Sequence, residues 1–381
     1  MQPKDFVYLD HAATTPLRQA AIAAMRPYED TIFGNPSALY RGGILSKRAV
    51  RLAREEFASA LGCLPEEIYF TSGGTESDNW VIKGFARDSR LRQGGRHIIT
   101  GVMEHHAILH SCKSVAEEGF NITYLPCDEN GCYRVNDLAA ALRPDTILVS
   151  LMLANNETGV IQPIREMAAL CRTRNIPFHT DAVQCVGHIP IDVDNLGIDL
   201  LSLSGHKFGG PKGSGALYIR KGTELSPFMD GGEQERMRRA GTENVAGIVG
   251  MGAALAASLR DMEKENQLCR ELKGQTIHWL RKLCPDMIIN GRSEQTLSGH
   301  LNVTLPGHSA ETLILQLDQQ GIYVSAGSAC ASGSPEPSHV LTAMGRSFQE
   351  AQCTLRLTFG MQNQSSDINQ IKYAFENILG A

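Results

Sequence analysis

Short β-branched runs that alternate with helical patterns through the first two-thirds of the chain restrict it to a narrow set of architectures. Residues 68–71 (Ile-Tyr-Phe-Thr), 97–100, 146–152, 176–179 and 200–203 read as strands. Helical patterns follow at 76–87, at about 106–118 and from Pro163, where proline suits a first turn. This βαβα order calls for a mostly parallel sheet covered on both faces. An earlier helical stripe, Leu45, Ala49, Leu52, Ala53, Phe57, Ala60 and Leu61, reads as core. From about Ala246 an alanine-rich helical pattern runs past Leu259 and turns charged over 260–270, as a bridge to a second unit. That unit mixes strands at 301–305, 322–325 and 354–359 with helices at 310–319, 338–344 and 367–379, an α+β pattern. The 381 residues suffice for two such domains.

Charge and cysteine usage narrow the functional classes. Lys and Arg number 36 against 41 Asp and Glu, and the net charge of −5 argues against direct nucleic-acid binding. No apolar run reaches the roughly 18 residues of a membrane span. Met1-Gln2-Pro3-Lys4-Asp5-Phe6 carries no signal-peptide pattern, so the expected compartment is the cytoplasm. The ten cysteines, at 63, 112, 127, 132, 171, 185, 269, 284, 330 and 353, include no C-x-x-C pair, and no metal site is expected. Cys127 and Cys132 flank a probable turn, and in a reducing compartment most of the ten should act as small buried hydrophobes.

The chemistry concentrates where strands end. Thr71-Ser72-Gly73-Gly74-Thr75, Met103-Glu104-His105, Asn155-Asn156-Glu157, Asp181 with Gln184, and Ser204-Gly205-His206-Lys207 each follow a strand. If those strands are parallel, all five converge on one sheet edge, where open α/β sheets bind ligands. A partly desolvated Lys207 could form a Schiff base with an aldehyde; it could also be a turn residue before the glycine-rich hairpin 208–215. Gly74 and Thr75 at a helix start offer N–H groups and a hydroxyl to an anion, or simply cap the helix, and Ser204 and His206 could add donors. Asp181 needs a cationic partner such as a protonated pyridine nitrogen, unless it caps a helix beginning near Ala182. Gln184 could donate to a phenolate oxygen or face solvent. His105 could lie flat on an aromatic ring and shuttle a proton, while His106 reads as part of the helix start. Together these groups describe a pyridoxal 5′-phosphate pocket.

A second segment, Ser325-Ala326-Gly327-Ser328-Ala329-Cys330-Ala331-Ser332-Gly333-Ser334-Pro335-Glu336-Pro337, consists almost wholly of small residues and reads as an exposed, mobile loop. A cysteine there, near a cation, has the setting of a reactive thiolate; its bland alternative is a small turn residue. Arg356, in a later strand, could grip a substrate carboxylate or form a surface salt bridge.

Ordered motifs along nearly the whole chain resemble the NifS/IscS-type cysteine desulfurases, fold type I pyridoxal-phosphate enzymes of the aminotransferase class V family. They are Tyr8-Leu9-Asp10-His11-Ala12-Ala13-Thr14-Thr15-Pro16, Gly34-Asn35-Pro36-Ser37, Thr71-Ser72-Gly73-Gly74-Thr75-Glu76-Ser77, Glu104-His105-His106-Ala107, Asn155-Asn156-Glu157-Thr158-Gly159, Asp181-Ala182-Val183-Gln184, Ser204-Gly205-His206-Lys207, Arg239-Ala240-Gly241-Thr242-Glu243-Asn244 and Gly327-Ser328-Ala329-Cys330. The last looks like the long-loop branch of the family. The resemblance implies a large α/β domain, 16–258, with a mostly parallel seven-stranded sheet, and a smaller α+β domain, 1–15 with 259–381, that carries the cysteine loop. It also implies roles. Lys207 would hold the cofactor through its amine and move the Cα proton, with His105 stacked on the ring. Asp181 would pair with the ring nitrogen, and Gln184 and Asn156 would meet the phenolic side. Gly74, Thr75, Ser204 and His206 would bind phosphate, joined by Thr242 from the other subunit of a homodimer. Arg356 and Asn35, beside Asn156, would bind the carboxylate of L-cysteine. Cys330 would take its sulfur as a persulfide, release alanine and pass the sulfur to an acceptor protein.

The chain stops soon after Leu379, without the longer tail that helps housekeeping members engage an iron–sulfur scaffold. That argues against the scaffold as partner and leaves tRNA-thiolation, DNA-modification and specialised cluster-assembly proteins open as acceptors. The rival readings are an aminotransferase or selenocysteine lyase on the same scaffold, from which Cys330 distinguishes it, and a non-catalytic partner protein.

Overall fold

The chain's first strand finds its partner near the far end of the sequence. In the computed structural model, which describes residues 6–88, 94–327 and 336–380, β1 (Val7–Tyr8) runs parallel to Ile322–Tyr323. Cys330 lies outside the described residues.

The large sheet comprises β2 (Ile68–Thr71), β3 (His97–Gly101), β4 (Asn121–Leu125), β5 (Thr146–Ser150), β6 (Phe178–Asp181), β7 (Leu200–Ser204) and β8 (Gly215–Ile219), in the order β2-β8-β7-β6-β5-β3-β4. Only β8 is antiparallel to its neighbours, so β2, β3, β5, β6 and β7 all present their carboxyl ends at one edge. Alternation along the strands supplies both faces. Ile99, Val149, Phe178, Leu201 and Tyr218 join one apolar cluster, and Ile98, Leu148, Leu200 and Leu217 join the other. Two strands are absent from the sequence reading: edge strand β4, mostly exposed, and β8, which completes the hairpin with β7. β6 begins two residues later than expected, because Pro177 precedes it.

Helices α1 (Gln19–Asp30), α2 (Arg41–Leu61) and α3 (Gly74–Arg87) precede α4 (His106–Glu117), α5 (Val135–Ala141), α6 (Ile164–Arg172) and the short α7 (Val193–Leu196). α2 stops at Gly62, whose φ of 70° suits the left-handed cap. Its core stripe is narrower than expected: Ala49, Val50, Ala53, Phe57 and Leu61 are buried, whereas Leu45 and Leu52 are exposed. The helix α8 (Val245–Leu283) is one uninterrupted 39-residue rod. Its Ile248, Met251, Ala254 and Leu255 pack into the large core with α1 and α2, and its Cys269, Leu272, Trp279 and Leu280 pack into a second core. Part of α8 is long and apolar enough to cross a membrane by length and composition, but half of that stretch is buried inside the protein.

The second core lies under the antiparallel strands β9 (Ile288–Ile289), β10 (His300–Thr304), β12 (Ser325–Ala326) and β13 (Thr354–Thr358), ordered β12-β13-β10-β9, with β11 (Ile322–Tyr323) beside β1. Helices α9 (Ala310–Gln319) and α12 (Asp367–Leu379) complete it, whereas α10 (His339–Ala343) places Val340 in the large core and α11 (Phe348–Gln352) follows. α10 is capped by Ser338 and α11 by a Ser347–Glu350 capping box.

Candidate active site

Five segments that follow parallel strands line one cavity of about 330 Å³: Gly74 and Thr75, His105, Asn156 and Glu157, Asp181 and Gln184, and Ser204, His206 and Lys207. Arg356 on β13 and His339 at the start of α10 reach the same cavity.

Lys207 ends a single 3-10 turn, Gly205–Lys207, directly after β7. Its Nζ donates to the carbonyls of Ala12 (2.6 Å) and Ala13 (3.0 Å), which also line the cavity. The backbone behind it is held at three successive carbonyls. His206 O accepts from Thr15 Oγ1 at 2.7 Å, Lys207 O pairs with His188 Nε2 at 2.9 Å, and Phe208 O accepts from Ser258 Oγ at 2.8 Å. The lysine is therefore a held, half-buried group rather than a freely solvated turn residue.

His105 is the N-cap of α4, and its Nδ1 accepts the Ala107 N–H at 3.1 Å. Nδ1 must then be unprotonated, which places the neutral ring's proton on Nε2. Burial lowers its pKa to about 4, helped by the charge of Lys207 and by neighbouring histidines, so the ring is neutral at physiological pH. His206 is lowered to about 4 by burial and by Lys207, and its Nδ1 lies 3.1 Å from Thr14 Oγ1.

Asp181 is buried at the end of β6, and its Oδ1 accepts the Val183 N–H at 2.9 Å. The chain after it forms a turn, so the helix expected near Ala182 is absent. Burial raises the carboxyl to about 6 despite that hydrogen bond and the nearby Lys207. Two further buried acids, which sequence reasoning left without a role, stand close by. Asp78, one turn along α3 from Gly74, and Glu104 are both held well above the usual carboxylate range by burial and by the charge of Asp181. Asp78 lies 3.8 Å from His179, but burial favours the neutral form of each, so this is not an ion pair. Helical periodicity could have placed Asp78 on the face of Gly74; the sequence carries no sign that this face meets the sheet.

Gln184 is buried and donates from Nε2 to Ala12 O at 3.1 Å, so it does not face solvent. Arg356 is buried too and is not a surface salt bridge: Nη2 meets Asp10 Oδ1 at 2.7 Å, and Nη1 donates to Asn156 O (3.1 Å) and Gly327 O (3.3 Å). Its Nε is buried and has no hydrogen-bond partner among the described residues. Asn155, next to Asn156, shapes the loop instead, accepting from the backbone of Glu157 and Thr158. Asn35 and Thr242 are exposed and do not line this cavity within the single chain. The signal for His339 was absent, since it depends on where α10 docks.

The cysteines divide by burial. Cys112, Cys171, Cys185, Cys269 and Cys284 are buried, and burial pushes their thiols up. Among the described residues none is disulfide-bonded, and no cluster of histidines, cysteines and acids suits a metal ion.

The aminotransferase class-V family profile matches residues 7–371. The cysteine desulfurase IscS of Methanosarcina thermophila is 52% identical over 365 residues, covering 96% of this chain and 90% of that protein. The chain belongs to the NifS/IscS-type cysteine desulfurases of the aminotransferase class-V family. A solved NifS-like protein superposes with a TM-score of 0.92 at 35% identity, covering 98% of this chain and 99% of that one. A solved SspA in complex with cysteine gives a TM-score of 0.81 at 37% identity, covering 93% and 98%. Enzymes of this family use pyridoxal 5′-phosphate, and the cavity of this member fits that group. Its buried acids match a cationic ring nitrogen. The glycine at the N-cap of α3 leaves the first-turn N–H groups without a capping side chain, as a phosphate requires.

Proposed function

We propose that the protein is a pyridoxal-phosphate-dependent cysteine desulfurase that converts L-cysteine to L-alanine and leaves a persulfide on Cys330. The observation that carries this reading is the convergence of Lys207, Asp181 and His105 on one buried cavity, with Gly74, Thr75, Ser204 and His206 on its wall. Lys207 would bind the aldehyde through its amine and later carry the Cα proton. Asp181 would hold the ring nitrogen, an acid already placed where a nearby cation restores its charge. His105 would cover the ring, and Gln184 and Asn156 would meet its phenolic oxygen. Gly74, Thr75, Ser204 and His206 would hold the phosphate. Bound pyridoxal phosphate supplies a carbonyl for the substrate amine and an electron-accepting ring that stabilises negative charge at Cα. Arg356, with one buried N–H that has no partner among the described residues, would bind the substrate carboxylate. Asn35 is assigned the same ligand, reached only by rearrangement or from a second subunit. The Cys330 thiolate would form an S–S bond to the substrate sulfur as the C–S bond breaks, and the sulfane sulfur would then pass to an acceptor protein.

The same reading gives a cytoplasmic homodimer in which Thr242 contributes to the partner's phosphate site. Exposed apolar side chains along 33–52 support the dimer: Phe33 is 80% exposed and Leu39 93%, followed by Tyr40, Ile44, Leu45 and Leu52. Domains at 16–258 and at 1–15 with 259–381 are supported by the second core, which joins Val7 and Leu9 to residues from Cys269 onward, although Leu297, Val340 and Met344 pack into the large core.

The test uses purified protein, pyridoxal phosphate, L-cysteine and a reductant. Wild type releases equimolar alanine and sulfide. Cys330→Ala keeps the visible absorbance of bound cofactor and loses sulfide release, while Lys207→Ala loses turnover altogether. Sulfide release undiminished in Cys330→Ala would convert the assignment to a simple β-lyase.

A further inference from the structure

One buried carboxylate touches both described stems of the segment that contains Cys330. Glu157 Oε2 accepts the Ser338 hydroxyl at 2.5 Å on the descending side. On the ascending side it packs so closely on Gly327 that a Cβ there would collide with the same oxygen. Gly327 O is also held by Arg356 Nη1 at 3.3 Å, and the Arg356 charge favours the Glu157 carboxylate. The acid itself is fixed from behind: its N–H bonds Asn155 Oδ1 at 2.9 Å, and its carbonyl accepts from Asn302 Nδ2 at 3.2 Å on β10. Next along the descending stem, the His339 ring lies 3.0 Å from Glu104 O. The stems are thus bolted to the loop after β5, which also supplies Asn156 to the cofactor cavity.

From this geometry we propose that Glu157 is a positioning residue that holds Gly327 and Ser338 together and so governs the thiol-dependent step of the reaction with cysteine. The proposal rests on the desulfurase reading and adds to it a device that governs sulfur transfer without governing the chemistry at Cα. Burial raises the Glu157 carboxyl to about 7, so a preformed anion is not needed; either form can accept the Ser338 hydroxyl.

The decisive comparison is between two substrates. L-cysteine needs thiol attack, whereas β-chloro-L-alanine loses chloride from Cβ once the Cα proton has gone and needs no thiol. Ser338 does not line the cavity; Ser338→Ala removes the hydroxyl that meets Glu157 and with it the α10 cap to the Leu341 N–H, so Gly327→Ala, which leaves that cap intact, is its control. With holoenzyme, kcat for cysteine should fall about tenfold or more, the scale of a misplaced reacting group. Its KM, the visible spectrum and turnover of β-chloro-L-alanine should stay within about twofold, a tolerance set by ordinary surface effects. Ser338→Thr restores the hydroxyl and should recover the cysteine rate. Gly327→Ala, which forces the clamp apart, should repeat the selective loss. Equal losses on both substrates, or an unchanged cysteine rate, would overturn the clamp. A wild-type enzyme that turns over β-chloro-L-alanine but forms no persulfide from cysteine would instead defeat the desulfurase reading.

Discussion

Gly74 shows how one missing methyl places a helix. A Cβ at this position would stand 2.5 Å from Val183 Cγ2, so only glycine lets the start of α3 settle against the turn after Asp181. Any larger residue pushes the first-turn N–H groups away from Ser204 and His206. Gly74→Ala should weaken pyridoxal-phosphate binding about tenfold, or about 1.4 kcal/mol, read from the visible absorbance during a cofactor titration; unchanged affinity would dismiss Gly74 from the cradle. Residue types at strand ends were legible from sequence, since Lys207, Asp181 and His105 carry chemistry that ordinary turns do not need. Their competitors were not. Asn155 and Asn156 are adjacent and chemically identical, and only the fold decides that one shapes the loop while the other lines the cavity. Glu157 was visible as a letter in the same cluster, but its partners Gly327 and Ser338 lie about 170 and 181 residues away in the chain, beyond any local pattern.

At the scale of the element, the large sheet carries a polar seam beneath the cavity. His179 on β6 bridges β5 and β7, with Nδ1 2.8 Å from Ser150 Oγ and Nε2 3.0 Å from Ser202 Oγ. A neutral imidazole satisfies both hydroxyls, and burial lowers its pKa to about 3. In the unfolded chain the ring titrates near 6.5, so below that pH the unfolded state gains a proton that the folded state refuses. Stability from this residue is complete above pH 6.5 and drains away as pH falls toward 3. Asp181 and Glu157, raised to about 6 and about 7, pull the other way, so the whole-protein profile mixes both. Comparing wild type with His179→Gln isolates the histidine: between pH 6.5 and 5 the variant should lose about 2 kcal/mol less than wild type, measured by urea unfolding. Parallel losses would mean that the ring charges in place. Strand existence was legible where both faces are buried; β4 was not, because an exposed edge strand of Asn-Ile-Thr-Tyr-Leu lacks the continuous apolar run that marks β7.

At the scale of the molecule, the amphipathic reading of α2 counted Leu45 and Leu52 as core, and their exposure is informative. With Phe33, Leu39, Tyr40 and Ile44 they are the exposed apolar side chains on which the proposed homodimer rests. Ile44→Glu combined with Leu52→Glu should halve the mass measured by light scattering, from two chains to one; an unchanged mass would remove this face from the interface. The change of α8 from alanine-rich to charged was legible, yet its being one unbroken rod was not, since nothing in the composition marks where one core hands over to the other.

The pairing of Val7 and Tyr8 with Ile322 and Tyr323, and of Asp10 with Thr358 and Arg356, bears on how the enzyme comes to life during synthesis. Ala12 and Ala13, whose carbonyls hold the Lys207 amine, hang from that early segment, which has no strand partner until more than 300 further residues have left the ribosome. A nascent chain can therefore build most of its large sheet and still lack the wall that fixes its lysine, so competence waits for the strand at Ile322–Tyr323 to be made.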